Sequence, residues 1–166
     1  MSRSLRTRSF VAIAVLMLSG LAFSTAASAD NIGNQGCTPG YWKNHTSNWE
    51  EYSPDMTVAE LFPLPASLAS LGSLTLEEAL AGGGGPGELG AAKILLRAGV
   101  AAFLNAAHEG LGYPYRRYDE PGNIGPRVTA ALASGDRATM LSLAAELDAA
   151  NNLGCPLGNE TTPSPT

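Results

Sequence analysis

The chain has 166 residues, with 10 basic and 15 acidic side chains and a formal net charge of −5. This acidic balance disfavours nucleic acid as a partner, because binding to phosphates needs clustered lysine and arginine. The length is sufficient for one domain with a hydrophobic core.

The first 29 residues have the three-part layout of a secretory signal peptide. A basic region holds Arg3, Arg6 and Arg8, an apolar run covers residues 10–23, and an Ala-Ser-Ala cleavage site ends at residue 29. The alternative is an uncleaved anchor, but this run is shorter than the roughly 20 residues that cross a bilayer. Cleavage leaves seven basic and fifteen acidic residues, a net charge of −8. We predict a secreted protein, extracellular or associated with the cell surface, with no membrane span after cleavage.

Two cysteines, Cys37 and Cys155, lie near opposite ends of the remaining chain. In an oxidising compartment a single disulfide between them is the natural interpretation. The alternative is two free thiols that serve as metal ligands or as a nucleophile, although neither cysteine has a Cys-x-x-Cys partner. We predict that the disulfide staples the domain at its two ends.

The mature chain begins with a polar lead, residues 30–36, which we predict to be flexible. A helix start follows, because Thr38 suits the N-cap position and Pro39 suits the first helical position, where its missing N–H is not needed. Ser47 is placed to cap a further turn that carries Trp49. Two short helical turns are therefore expected before residue 52.

Two capping-box patterns come next, at residues 57–60 and 75–78. In each pattern Thr and Glu satisfy one another's exposed backbone donors at a helix start, which predicts helices over about 58–62 and 76–81. Two prolines between these helices exclude regular helix there. We expect that segment to cross the core as an irregular apolar layer.

The strongest helical pattern covers about residues 88–109. Its apolar residues are spread around the circumference, and Lys93, Arg97, Asn105 and His108 fall on one narrow polar stripe. A helix with so little polar surface must be surrounded by others. We therefore predict that it is the central, buried helix of the fold.

The glycine-rich segment before that helix matches the dinucleotide-binding glycine pattern at residues 85–90. No predicted strand precedes it, so we expect no nucleotide cofactor and interpret the segment as a flexible connection.

The last third of the chain predicts two more helices. Pro126 suits a helix start, and Asp136 suits the N-cap of a final helix over about residues 137–150. Residues 156–166 are rich in Thr, Pro and Ser, which is typical of a disordered tail. The predicted fold is all-α, a small irregular helical bundle forming a single domain over residues 37–155 and closed by one disulfide.

Residues 37–45 read Cys-Thr-Pro-Gly-Tyr-Trp-Lys-Asn-His, and we call them the aromatic motif. Together with residues 104–108, 113–114 and 151–156, they resemble a group of secreted bacterial proteins of uncharacterised function that carry this motif. The resemblance spans nearly the whole mature domain. It implies the domain limits and secretion, in the setting of cell-surface or exported proteins.

The aromatic motif suggests a binding surface, on which sugar rings or the apolar residues of a partner stack. An extracellular glycan or a protein is the partner that this surface suggests. The competing interpretation is that Trp42 and Trp49 are buried beside the disulfide as core anchors. The candidate binding residues are Tyr41, Trp42, Lys43, Asn44, His45 and Trp49.

A second hypothesis is a small extracellular hydrolase or metal-dependent enzyme. It would need His45 and His108 to converge with carboxylates such as Glu109, Asp119 or Glu120. The sequence has no local pair of histidine ligands and no nucleophile elbow. We therefore expect no metal and no catalytic machinery, and favour a secreted binding or structural module.

Overall fold

The computed structural model describes residues 33–118 and 120–159. Its α-helices are α1 (Pro39–Asn44), α2 (Val58–Leu61), α3 (Leu76–Ala81), α4 (Gly87–Ala107), α5 (Ile124–Ala133) and α6 (Arg137–Asn151). Single 3₁₀ segments lie at Thr46–Asn48, Ala66–Leu71 and Pro156–Asn159. Across these described ranges there is no β-strand, and two isolated bridges are the only pairing of that type. The prediction of an all-α fold is confirmed.

Helix α4 lies at the centre of the bundle, as predicted. Helices α1, α3, α5 and α6 all pack against it, with α6 making the most extensive contact. Small residues along α4 allow these close approaches. A Cβ at Gly99, for example, would lie 3.3 Å from Val128 Cγ2 and 3.4 Å from Phe62 Cζ. These distances are shorter than ordinary Cβ contacts, so a side chain at this position would force its neighbours to shift.

Residues 87–107 are also long and apolar enough to cross a membrane, judged by length and composition alone. Most of this stretch is buried inside the bundle, and the core helix of a soluble protein passes the same test. The neighbouring helices cover its circumference, which accounts for its nearly continuous apolar sequence.

The helices begin at the capping residues that the sequence indicates. The Thr38 hydroxyl accepts a hydrogen bond from the Tyr41 N–H at 3.1 Å, with Pro39 in the first turn. The Asp136 carboxylate accepts one from the Thr139 N–H at 2.7 Å. Capping boxes start α2 and α3, also as predicted. These local signals therefore position most of the bundle.

Helix α5 begins earlier than the sequence indicates. The prediction places its start at Pro126, whereas the helix begins at Ile124. The first two N–H groups of α5 donate to the carbonyl oxygens of Arg116 and Arg117, at 2.9 and 3.0 Å. Because the preceding loop satisfies these donors, the helix extends backwards past the proline.

Contacts with the bundle continue beyond residues 37–155 at both ends. In the lead that was predicted to be flexible, the Gly36 N–H donates to the Gly154 carbonyl oxygen at 3.1 Å. In the segment predicted to be a disordered tail, Pro156–Asn159 form a 3₁₀ turn, and Leu157 packs against the core. The Gly36–Gly154 pairing and the packing of Leu157 attach the two ends to the bundle.

The disulfide between Cys37 and Cys155 is present, as predicted, with the two Cα atoms 4.5 Å apart. It accounts for both cysteines of the chain. A disulfide is compatible with an extracellular location. The predicted signal peptide (1–29) and the end of the predicted tail (160–166) lie outside the described residues.

Removing the disulfide should lower stability strongly. It joins residues that are 118 positions apart, and closing a loop of that length restricts the unfolded chain by about 4 to 5 kcal/mol. We expect a loss of that size in urea unfolding of a Cys37→Ser/Cys155→Ser double variant. Reduction of the wild type should also add the mass of two hydrogens. An unchanged mass on reduction, or equal unfolding free energies for the wild type and the double variant, would contradict a stabilising disulfide.

Candidate functional site

A fully buried asparagine, Asn105 of α4, connects the aromatic motif to the centre of the fold. Its Oδ1 accepts hydrogen bonds from the Cys37 N–H at 2.7 Å and from the Trp42 Nε1–H at 3.1 Å. Its Nδ2 donates to the Cys37 carbonyl oxygen and to Asn151 Oδ1, both at 2.9 Å. An amide side chain has two donor hydrogens and an acceptor oxygen with two lone pairs, so all of its capacity is used.

Asn151, near the end of α6, is also fully buried and extends these contacts. Its Oδ1 accepts a second hydrogen bond from the Tyr113 hydroxyl at 2.7 Å, and its Nδ2 donates to the Ala98 carbonyl oxygen at 3.0 Å. Burial raises the pKa of the Tyr113 hydroxyl, which keeps it protonated as a donor. We call Trp42, Asn105, Tyr113 and Asn151 the Asn105 network.

The residues of the predicted polar stripe of α4 differ in their surroundings. Asn105 is completely buried, whereas Arg97 is exposed. Periodicity assigns a residue to a face of a helix but does not say what covers that face. Here the start of the aromatic motif covers it and supplies matching N–H and C=O groups.

Of the two interpretations given for Trp42, a binding surface or a buried core anchor, the structure agrees with the core anchor. Its exposed fraction is 0%, and its indole N–H is taken by Asn105. Trp49 is half-buried and donates its own indole N–H to the Trp42 carbonyl oxygen at 3.0 Å. It follows the Thr46–Asn48 turn instead of lying in a turn capped by Ser47, as the sequence suggested. Trp42 is therefore a core anchor, whereas the Trp49 side chain is partly exposed to solvent.

The remaining predicted binding residues lie together on the outside of α1. Tyr41 is half-buried, and Lys43, Asn44 and His45 are exposed. The His45 ring stacks on the Tyr41 ring with centroids 4.2 Å apart and planes 11° apart. These four residues form the His45 face.

Hydrogen bonds fix the stacked pair from both sides. His45 Nδ1 lies 2.8 Å from the Tyr41 carbonyl oxygen, and because a carbonyl only accepts, Nδ1 carries the hydrogen. Nε2 of the neutral ring is then an acceptor with no partner in the described part of the chain. Asn48 Nδ2 donates to the Tyr41 hydroxyl at 2.7 Å, and Lys43 makes no hydrogen bond or ion pair with any described residue.

The two histidines have separate partners. His108 Nε2 lies 3.6 Å from Glu50 Oε1, and its Nδ1 accepts a hydrogen bond from the Gly110 N–H at 3.0 Å. Within the described ranges, no group of three or more His, Cys, Asp or Glu side chains is placed to hold a metal. Asp119, one of the carboxylates named for the enzyme hypothesis, lies outside those ranges.

A second polar and aromatic cluster is centred on Arg117. Its guanidinium donates to both carboxylate oxygens of Glu51, at 2.6 and 2.9 Å, and to the Tyr52 hydroxyl at 3.0 Å. It also lies over the Tyr52 and Tyr118 rings, and the two tyrosine hydroxyls share a hydrogen bond. The hydrogen bonds from Arg117 lower the pKa of the Glu51 carboxyl, while burial raises the pKa of the Tyr52 hydroxyl.

This cluster joins Arg117 and Tyr118, in the loop before α5, to the segment that follows the aromatic motif. Glu51 adopts a left-handed backbone conformation with φ 63°, which is unfavourable for a residue with a side chain. In this conformation the Glu51 side chain makes its bidentate contact with Arg117. The only signal in the sequence was the concentration of tyrosines and charges in the loop, and it gave no indication of a partner about 65 residues away.

Comparison with known proteins assigns no family. No protein-family model matches the sequence, and neither a curated protein nor a solved structure matches it. The resemblance of residues 37–45 to the secreted motif-bearing group therefore stays a prediction.

Substituting Asn105 should destabilise the fold far more than substituting an exposed asparagine. In Asn105→Ala, the Cys37 N–H and C=O groups and the Trp42 indole N–H lose their partner inside the core. Each such group costs about 1 to 3 kcal/mol, so we expect a loss of at least about 3 kcal/mol in urea unfolding. The matched control is Asn44→Ala, an exposed position that should change stability by no more than about 0.5 kcal/mol. Similar losses in the two variants would refute the role given to Asn105.

Proposed function

We propose that the chain is a secreted or cell-surface helical module that binds an extracellular glycan through the His45 face. The observation that carries this proposal is the division of the aromatic motif into two halves. Cys37 and Trp42 are buried and hold the fold. Lys43, Asn44 and His45 face water. The side-chain polar groups of Lys43 and the Nε2 atom of His45 make no contact that the core needs.

The chemistry of the His45 face suits a sugar. A pyranose ring has an apolar face that packs on flat aromatic rings and a rim of hydroxyls that need hydrogen-bond partners. The ring of His45 lies flat on Tyr41 and is itself exposed. Around it, His45 Nε2 and Asn44 Oδ1 offer acceptors, and the Lys43 ammonium offers donors.

The surface is also held in place before any ligand arrives. Tyr41 is fixed by Asn48 at its hydroxyl, by His45 on its face and by the edge of the Trp42 ring, with centroids 5.2 Å apart. Asn44 Nδ2 donates to the Gly40 carbonyl oxygen at 2.9 Å. Tyr41, Asn44 and His45 therefore lose little side-chain freedom on binding, which favours affinity.

The enzyme hypothesis has less support from this geometry. Both ring nitrogens of His108 are engaged, one by the Gly110 N–H and one by the Glu50 carboxylate. A general base needs a nitrogen within reach of the proton that it removes. His45 keeps a free Nε2, but its ring contacts are with Tyr41 and its hydrogen bond is with the backbone.

A glycan array probed with the purified chain, residues 30–166, tests the proposal. We expect selective binding to a subset of glycans, and a loss of about tenfold in affinity, or about 1.4 kcal/mol, for His45→Ala and for Lys43→Ala. Lys93→Ala is the matched control, because this second lysine lies away from the aromatic motif, and it should bind as the wild type does.

An array without selective binding, or equal affinities for all variants, would contradict a glycan site on this face. If instead a pull-down captures a protein and the same two substitutions abolish capture, the His45 face is an interaction surface and the glycan assignment is wrong.

A further inference from the structure

A groove on another part of the molecule has the features of a small-molecule site. It has a volume of about 320 Å³ and lies between the Ala66–Leu71 turn, α3 and the first half of α4. We call it the Lys93 groove. Lys93 and Asn105 are twelve residues apart on α4, which corresponds to about 18 Å along the helix. The lining of the groove includes Leu71, Leu74, Glu78, Gly83, Leu89, Lys93 and Leu96.

The inner surface of the Lys93 groove is apolar. Leu71 and Leu96 are buried in the core beneath it, and Leu74 is partly buried beside them. Leu89 has 43% of its surface exposed, an unusual fraction for a large apolar side chain in this fold. Gly83 leaves one edge open, since a Cβ there would meet no atom within 4 Å. The groove therefore offers a mainly apolar cavity of about 320 Å³ that is open at one edge.

Lys93 is the single cation among the lining residues. It makes no hydrogen bond or ion pair with any residue in the described ranges. Glu78 also lines the groove, but no ion pair joins it to Lys93, and its Oε2 accepts the Thr75 N–H at 2.9 Å as part of the capping box. An ammonium group that makes no ion pair with a described residue thus lies at the side of an apolar groove.

We propose that the Lys93 groove binds an amphiphilic carboxylate, with its hydrocarbon chain against Leu71, Leu89 and Leu96 and its carboxylate at the Lys93 ammonium. Apolar pockets with few polar groups are the usual form of small-molecule sites, and volumes from roughly 300 Å³ upwards are common among them. The apolar wall favours a ligand with a hydrocarbon chain. The unpaired lysine favours a ligand with a carboxylate over one with a neutral polar group. This site is independent of the glycan site proposed on the His45 face.

Titration of the purified chain with octanoate and decanoate, followed by calorimetry and by chemical shifts of the leucine methyl groups, tests the proposal. Each added methylene should tighten binding about fourfold, so decanoate should bind more than tenfold tighter than octanoate. The methyl ester of decanoate should bind more weakly than the acid. The methyl resonances of Leu71 and Leu96 should shift on binding.

Two substitutions in the groove, each with a matched control, separate the contribution of the ligand's carboxylate from that of its hydrocarbon chain. Lys93→Gln should weaken decanoate by about fivefold, the upper range for a partly exposed ion pair, without affecting the methyl ester. Leu89→Ala should weaken both ligands. The matched controls are Lys43→Gln and Leu153→Ala, since Leu153 is similarly exposed at 45%, and both should bind as the wild type does.

Because all four positions are exposed or half-buried, these variants should retain the wild-type melting temperature. Absence of saturable decanoate binding, or decanoate affinity that is equal in Lys93→Gln and the wild type, would overturn the proposal.

Discussion

The hydrogen bonds of the Asn105 carboxamide are the interaction on which the rest of the structure depends. They join three segments that are far apart in the chain: the start of the aromatic motif through Cys37, the central helix α4, and the end of α6 through Asn151. The disulfide links the first and last of these segments covalently. A buried amide is costly when it lacks partners and stabilising when all of them are present, so this network permits one arrangement of the three segments and penalises others.

The composition of the aromatic motif follows from this constraint. Rare residues are concentrated there because the motif has two roles in a few positions. Trp42 fills the core and satisfies Asn105, while Thr38 and Pro39 start the helix that carries it. One helical turn then leaves Lys43 through His45 on the outside. The buried half of the motif thus stabilises the fold, and its exposed half, the His45 face, carries the proposed binding function.

Much of the fold could be predicted from local patterns. Thr38, Thr75 and Asp136 start helices because capping depends only on neighbouring residues. The apolar circumference of α4 predicted its central position. The disulfide followed from there being only two cysteines in a chain with the features of a secreted protein.

The rest depended on contacts between segments that are distant in sequence. The burial of Asn105 required knowledge of which segment covers α4, and the partners of Arg117 lie about 65 residues earlier in the chain. The start of α5 at Ile124 depended on carbonyl groups of the preceding loop. Periodicity and capping rules contain no information on such pairings, so the candidate site was predicted as a set of residues but not as two halves with different roles.

Hydrogen exchange at the two indole N–H groups tests the central role of Asn105 most directly, because NMR resolves both tryptophans. The Trp42 Nε1–H, bonded to Asn105 in the core, should exchange only through global unfolding, with the same free energy as the slowest backbone amides of α4. The half-buried Trp49 Nε1–H should exchange faster, through local opening. Exchange of the Trp42 indole at the rate of Trp49 or faster would contradict the account, because its bond to Asn105 could not then be part of the stable core.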